Sequence, residues 1–235
     1  MSTYAAPVTA QAIVYPDSDG QPMAENTKQF RWIVTIQGGL DALFSDDPNV
    51  FVAGDLLWYP VEGNPALRLA PDAMVVFGRP KGDRSSYRQW HEDGIAPQVV
   101  FEALSPGNML VEILGEMLER LRFYERYGVE EFYIYEPDRG ALSGWIGGGG
   151  ELAAVETMSG WVSPRLGVRF ALVDGELALY YPDGRTFASY VELAQQRALA
   201  EQQAEQERQR AEQECQRAER LAEKLRALGI DPEES

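Results

Sequence analysis

Two acidic residues sit where the pattern of this chain asks for apolar ones. The stretch LAPDAMVVFG carries Asp72 at the entrance of the run Ala73 to Phe77, and APQVVFEALSPGN carries Glu102 inside the run Val99 to Leu104. Both runs are β-branched and aromatic with turn-forming residues on either side, the pattern of neighbouring buried strands. A carboxylate in such a strand needs a partner, because an unpaired charge is not left dry. Two partners are open from the residues alone. One is a cation: two carboxylates on adjacent strand ends, with the carbonyl of Ala103 between them, make the incomplete oxygen shell that Mg²⁺ prefers. The other is structural, with Asp72 capping a turn and Glu102 pairing with an arginine of the core.

The remaining chemistry is bounded by scarcity. The chain of 235 residues has one cysteine, Cys215, and one histidine, His91. An intrachain disulfide and a cysteine-based zinc cluster are therefore excluded, and a histidine-dependent nucleophile could be built only around His91, in a loop. The longest apolar runs fall well short of the ~20 residues that span a bilayer, and the N-terminus lacks a basic start followed by an apolar stretch. A cytoplasmic protein is expected. A net charge of −16 argues against a general nucleic-acid coating protein, whose affinity rests on Lys and Arg, but leaves room for a local basic groove.

In chain order, residues 1–27 read as an irregular arm. Lys28 to Phe44 has apolar residues at helical spacing, weakened by Gly38-Gly39. Val50 to Tyr59 reads as a strand containing Asp55, the acid expected to join Asp72 and Glu102 at the cation, followed by Leu67 to Phe77 as its antiparallel partner. The loop from Gly78 to Ile95 collects Arg79, Lys81, Arg84 and Arg88 with Tyr87 and Trp90, a basic and aromatic cluster suited to a polyanion such as DNA. After a break at Ser105-Pro106-Gly107-Asn108, a helix runs from about Met109 to Tyr127, and Phe132 to Tyr135 is a strand. Leu142 to Ile146, Glu151 to Val155, Val168 to Leu172 and Leu177 to Tyr181 read as short strands that extend the sheet as antiparallel hairpins. Residues 191–235 turn to Gln, Glu, Arg and Ala with a seven-residue repeat, a long helix. Ala204, Ala211, Ala218 and Leu225 repeat at one seam position and Glu207, Glu214, Leu221 and Leu228 at the other. A solvated helix and a homodimer zipper both remain open.

The order helix, three strands, helix, strand resembles the core of the PD-(D/E)XK nuclease superfamily. Pro71-Asp72, FEALSPGN from Phe101 to Asn108 and FYERYGVEEFYIYEP from Phe123 to Pro137 resemble the Uma-type restriction-endonuclease-like family over about Gln29 to Tyr190. The resemblance implies an α/β fold of mixed-sheet α+β type, occupying residues 28–190, with the antiparallel strand extension and the long C-terminal helix appended. It also implies Mg²⁺- or Mn²⁺-dependent DNA cleavage, with Asp72 and Glu102 as metal-binding carboxylates. The superfamily's lysine normally follows the Glu by two residues. Leu104 stands there, and in this family the lysine comes instead from the following helix, four residues before a tyrosine, where this chain has Arg120. Arginine stabilises developing charge but transfers protons poorly. Arg120 or Lys81 is thus expected to fill the lysine's role, with Arg79, Lys81, Arg84 and Arg88 touching DNA. The alternative is a nuclease-like fold that no longer cleaves and serves as a nucleic-acid-binding or assembly module.

Overall fold

The computed structural model describes residues 13–104 and 110–227. The expected break at Ser105 to Asn108 and the seam position Leu228 lie outside the described residues. The chain divides into two compact units, Met1–Phe187 and Ala188–Ser235.

In the first unit, α1 spans Thr27–Leu43, and the Asn26 side chain starts it by accepting the N–H groups of Lys28 and Gln29, two donors a helix N-terminus otherwise leaves orphaned. The Gly38-Gly39 pair that weakens the helical pattern has a use. A Cβ at Gly39 would lie 2.1 Å from the ring of Phe187, so the missing side chain is the notch in which that ring sits.

The strands β1 (Val50–Ala53), β3 (Ala73–Phe77), β5 (Val99–Ala103), β6 (Glu131–Glu136), β7 (Ala141–Gly147) and β8 (Leu152–Ala154) form one sheet in the order β1-β3-β5-β6-β7-β8. Within this sheet, among the described residues, only β5 and β6 pair in parallel. The crossover between them is α2, Leu110–Tyr127, as a parallel connection requires. Gly128, at φ +101°, ends it, and the N–H groups of Gly128 and Val129 both donate to the carbonyl of Tyr124.

Strand alternation sorts the core into two layers. Val75, Val99, Phe101, Tyr133 and Tyr135 face one way and pack with Ile36 and Leu40 of α1 and with Phe170, Leu177 and Leu179. Met74, Val76, Val100, Phe132 and Ile134 face the other and pack with Tyr124 of α2 and with Trp58 and Tyr87. This is the mixed-sheet α/β core that the pattern predicts.

Three expectations change in detail. The strand read over Val50 to Tyr59 breaks at Asp55, whose φ of +49° no β-strand accommodates. Its second part, β2 (Trp58–Tyr59), pairs in parallel with β4 (Tyr87–Arg88). The partner strand read over Leu67 to Phe77 shortens to β3, with only a Trp58–Leu69 bridge before it. Of the two late hairpins only β7–β8 extends the sheet; β9 (Arg169–Val173) and β10 (Glu176–Tyr180) make a separate two-stranded layer that closes over the α1 side. The second unit contains α3, Tyr190–Ala227, a 38-residue helix in which no residue is buried.

Candidate functional site

Register brings the two strand acids together. Ala73 stands opposite Phe101 in the antiparallel β3–β5 ladder, so one step further Asp72 stands opposite Glu102, and directly opposed residues share a face of the sheet. That face is the one α2 covers. Glu102 is only 4% exposed, and α2 supplies both of its partners. Arg120 Nη1 donates to Glu102 Oε1 at 2.5 Å, and the Tyr124 hydroxyl donates to the same oxygen. Arg120 and Tyr124 are four residues apart, so they lie one turn above each other on one helix face. The Glu102 charge pushes the guanidinium of Arg120 further into its protonated range. Burial, followed by that same charge, pushes the Tyr124 hydroxyl up well beyond its ordinary value.

Asp72 completes the strand-end contact. Its Oδ2 accepts the N–H of Ala103 at 2.6 Å, pinning the start of β3 to the end of β5. Burial, reinforced by the charge of Glu102, raises its carboxyl to about 8 against the pull of the Ala103 N–H and Arg120. Asp72 is therefore mainly protonated at neutral pH. Asp55 lies nearby, its N–H donating to Pro71 O at 3.0 Å. Partial burial, Asp19 and Glu102 raise its carboxyl. Asp55, Asp72 and Arg120 line a cavity of about 500 Å³ whose other walls include Arg68, Gln29 and Asp19.

The expected Mg²⁺ or Mn²⁺ site on Asp72, Glu102, Ala103 and Asp55 is overturned by the way these oxygens are used. Among the described residues no group of three or more His, Cys, Asp or Glu side chains could hold a metal ion. Three oxygens of the expected shell also have partners within the protein: Glu102 Oε1 in Arg120 and Tyr124, Asp72 Oδ2 in the Ala103 N–H, and the Ala103 carbonyl in Gln29 Nε2 at 2.8 Å. A cation, Arg120, stands against the buried carboxylate.

The loop cations lie elsewhere. The loop leaves the opposite end of β3 from Asp72, so Lys81 is on the far side of that strand, where its N–H meets Pro48 O and its ammonium approaches Asp41 at 3.8 Å. Arg79 pairs with Glu92 and Asp93, and Arg84 with Glu92 at 2.7 Å. Arg88 approaches Asp17 at 3.9 Å and lies over the ring of Tyr15. Tyr15 also packs against Tyr59 and Trp90, and the Tyr59 hydroxyl donates to Pro16 O at 2.6 Å. This half of the basic and aromatic cluster thus fastens the N-terminal arm. His91 is exposed at the end of a 3-10 helix, Gln89–His91, beside Trp90.

Sequence reasoning misses a second buried acid. Glu131, 2% exposed at the start of β6, accepts the Tyr133 hydroxyl at 2.9 Å, the Ser163 hydroxyl, and the Arg165 N–H at 2.7 Å. It lies on the face opposite to Glu102, since 131, 133 and 135 alternate with 132 and 134. Tyr124 and Gln29 are likewise missed as partners, although the four-residue spacing from Arg120 to Tyr124 carries a signal for the first.

The family model Uma2, described as putative restriction endonuclease, matches residues 19–173. A crystal structure of a putative nuclease belonging to DUF820 from Anabaena variabilis is similar over 63% of this chain and 78% of its own, at 14% identity and a TM-score of 0.41. No curated protein matches the chain.

Proposed function

Since this chain belongs to the Uma2 family of putative restriction endonucleases, we propose that it is a nuclease-like module that does not cleave and serves nucleic-acid binding or assembly. The observation that carries this reading is the seating of Arg120 and Tyr124 on one oxygen of Glu102. A carboxylate whose charge is already compensated by a guanidinium, next to an Asp72 held mainly protonated, has little negative charge left for chemistry at a phosphodiester. Arg120 is itself spent on Glu102 and on the charge of the pocket, so it offers an incoming phosphate a neutralised rather than a free cation.

Assembly is the better supported of the two roles. Arg79 and Arg84, expected to touch DNA, are paired within their own loop, and the chain carries −16 overall. A long exposed helix is what remains unused. The test is incubation of the protein with supercoiled, linear and single-stranded DNA, with Mg²⁺ or Mn²⁺ supplied, alongside gel-shift titrations at rising salt. The expected result is no nicking above background and weak, steeply salt-dependent retention of DNA. Cleavage that is lost in Asp72→Asn would overturn the proposal.

A further inference from the structure

α3 exposes a seam, none of its residues being buried. Tyr190, Leu193 and Leu221, which fall at the two seam positions, are each at least half exposed, and the seven-residue spacing of Ala204, Ala211, Ala218 and Leu225 puts one narrow stripe along the helix. Side chains of this size let a second helix approach closely, and the large apolar residues lie at the two ends of the stripe rather than in its middle. The middle of the other seam position is occupied by Glu207 and Glu214.

We infer that α3 pairs with α3 of a second copy of this chain, and that the two helices run antiparallel. The inference rests on the assembly role proposed above and adds the partner and its orientation. The seam glutamates decide between orientations. In a parallel, in-register pair Glu207 faces Glu207 and Glu214 faces Glu214, two like-charge layers at the centre of the contact. In the antiparallel pair with full overlap, Glu207 falls opposite Ala211 of the second copy and Glu214 opposite Ala204. Leu225 then falls on Leu193 at each end, and Leu221 falls opposite Arg197.

The distribution of charge favours pairing through α3. α3 carries eight glutamates against seven arginines and lysines, a net charge of −1, whereas residues 1–187 carry 26 acidic against 14 basic side chains, a net charge of −12. A nearly neutral helix is the surface on which two copies of an acidic protein meet at least electrostatic cost. The symmetry is a closed two-fold, which gives a dimer and no longer array.

The experiment is sedimentation of the full chain together with a spin–spin distance measurement. Labels are placed at Gln195→Cys in a Cys215→Ser background, an outward position of the helix away from the seam. A dimer with a label separation of roughly 40 Å is expected, from the 1.5 Å rise per residue, and Leu221→Glu with Leu225→Glu should convert it to a monomer with the melting of the first unit unchanged. A dimer with labels within about 20 Å would be parallel and would overturn the orientation. A chain that stays monomeric at 100-fold the working concentration would overturn the pairing itself. Cleavage of DNA by a protein that is also the 40 Å dimer would remove the parent reading and leave this one standing.

Discussion

Glu102 and Glu131 are the same residue type, equally buried, on neighbouring strands of one sheet, and they are solved in opposite ways. Glu131 is satisfied by neutral donors: two hydroxyls and a backbone N–H, all from the segment and strand it holds together. Glu102 takes a cation and a hydroxyl on a single oxygen, and its cross-strand neighbour is a second acid. The first arrangement is a fastening. The second concentrates charge beside a cavity and then cancels it, and Arg120 is the residue that cancels it.

Four measurements break or sharpen that contrast. Arg120→Ala strands a buried charge, and urea unfolding should show a loss of about 3 kcal/mol, the lower end for a broken buried pair because the guanidinium side chain is 34% exposed. An equal loss from Arg165→Ala, which leaves the Glu131 donors in place, would erase the distinction. Asp72 contributes the next effect. Its carboxyl is raised from 3.8 to about 8, so the folded state holds a proton that the unfolded chain releases. That stability is complete below about pH 4 and is lost as pH climbs towards 8. Asp72→Asn keeps an acceptor for the Ala103 N–H and should be more stable than the parent by roughly 2 kcal/mol at pH 9 and not at pH 4, read from melting curves across that range. A parent and variant with parallel profiles would show that Asp72 does not carry the proton.

Ser163→Ala removes one neutral donor from Glu131 and should cost about 1.5 kcal/mol with no change in the pH profile that Asp72 sets. Truncation before Ala188 should cost the first unit less than about 0.5 kcal/mol, because α3 buries no residue and so contributes nothing to either core layer. Loss of cooperative melting in the truncated chain would make α3 integral.

The strand acids were legible because each interrupts an apolar run, and that irregularity survives without any knowledge of the third dimension. Their use was only half legible. The residues left open a cation or an arginine, and choosing needed to know that the α2 crossover carries Arg120 back over β5. The break at Asp55 had a signal that the strand pattern overrode: Gly54-Asp55 interrupts Val50 to Tyr59, and both residue types are depleted in strands, Asp being also one of the few non-glycine residues that take a left-handed φ. The pairing inside the basic loop was not legible. Counting Arg79 and Arg84 registers charge, but not that Glu92 and Asp93 of the same loop fold back to pair with them. The β9–β10 hairpin was legible as strands, yet which sheet a short alternating strand joins is decided by packing, here of Phe170 on Phe101 and Tyr133.

Phe187, the last residue of the first unit, fills the notch that Gly39 leaves near its beginning. During synthesis α1 therefore emerges early with a hole in its surface that stays wet until nearly the whole unit has been made. The nascent chain can form the sheet and dock both helices, but its α1-side core is sealed last, from the C-terminal end, by one aromatic ring.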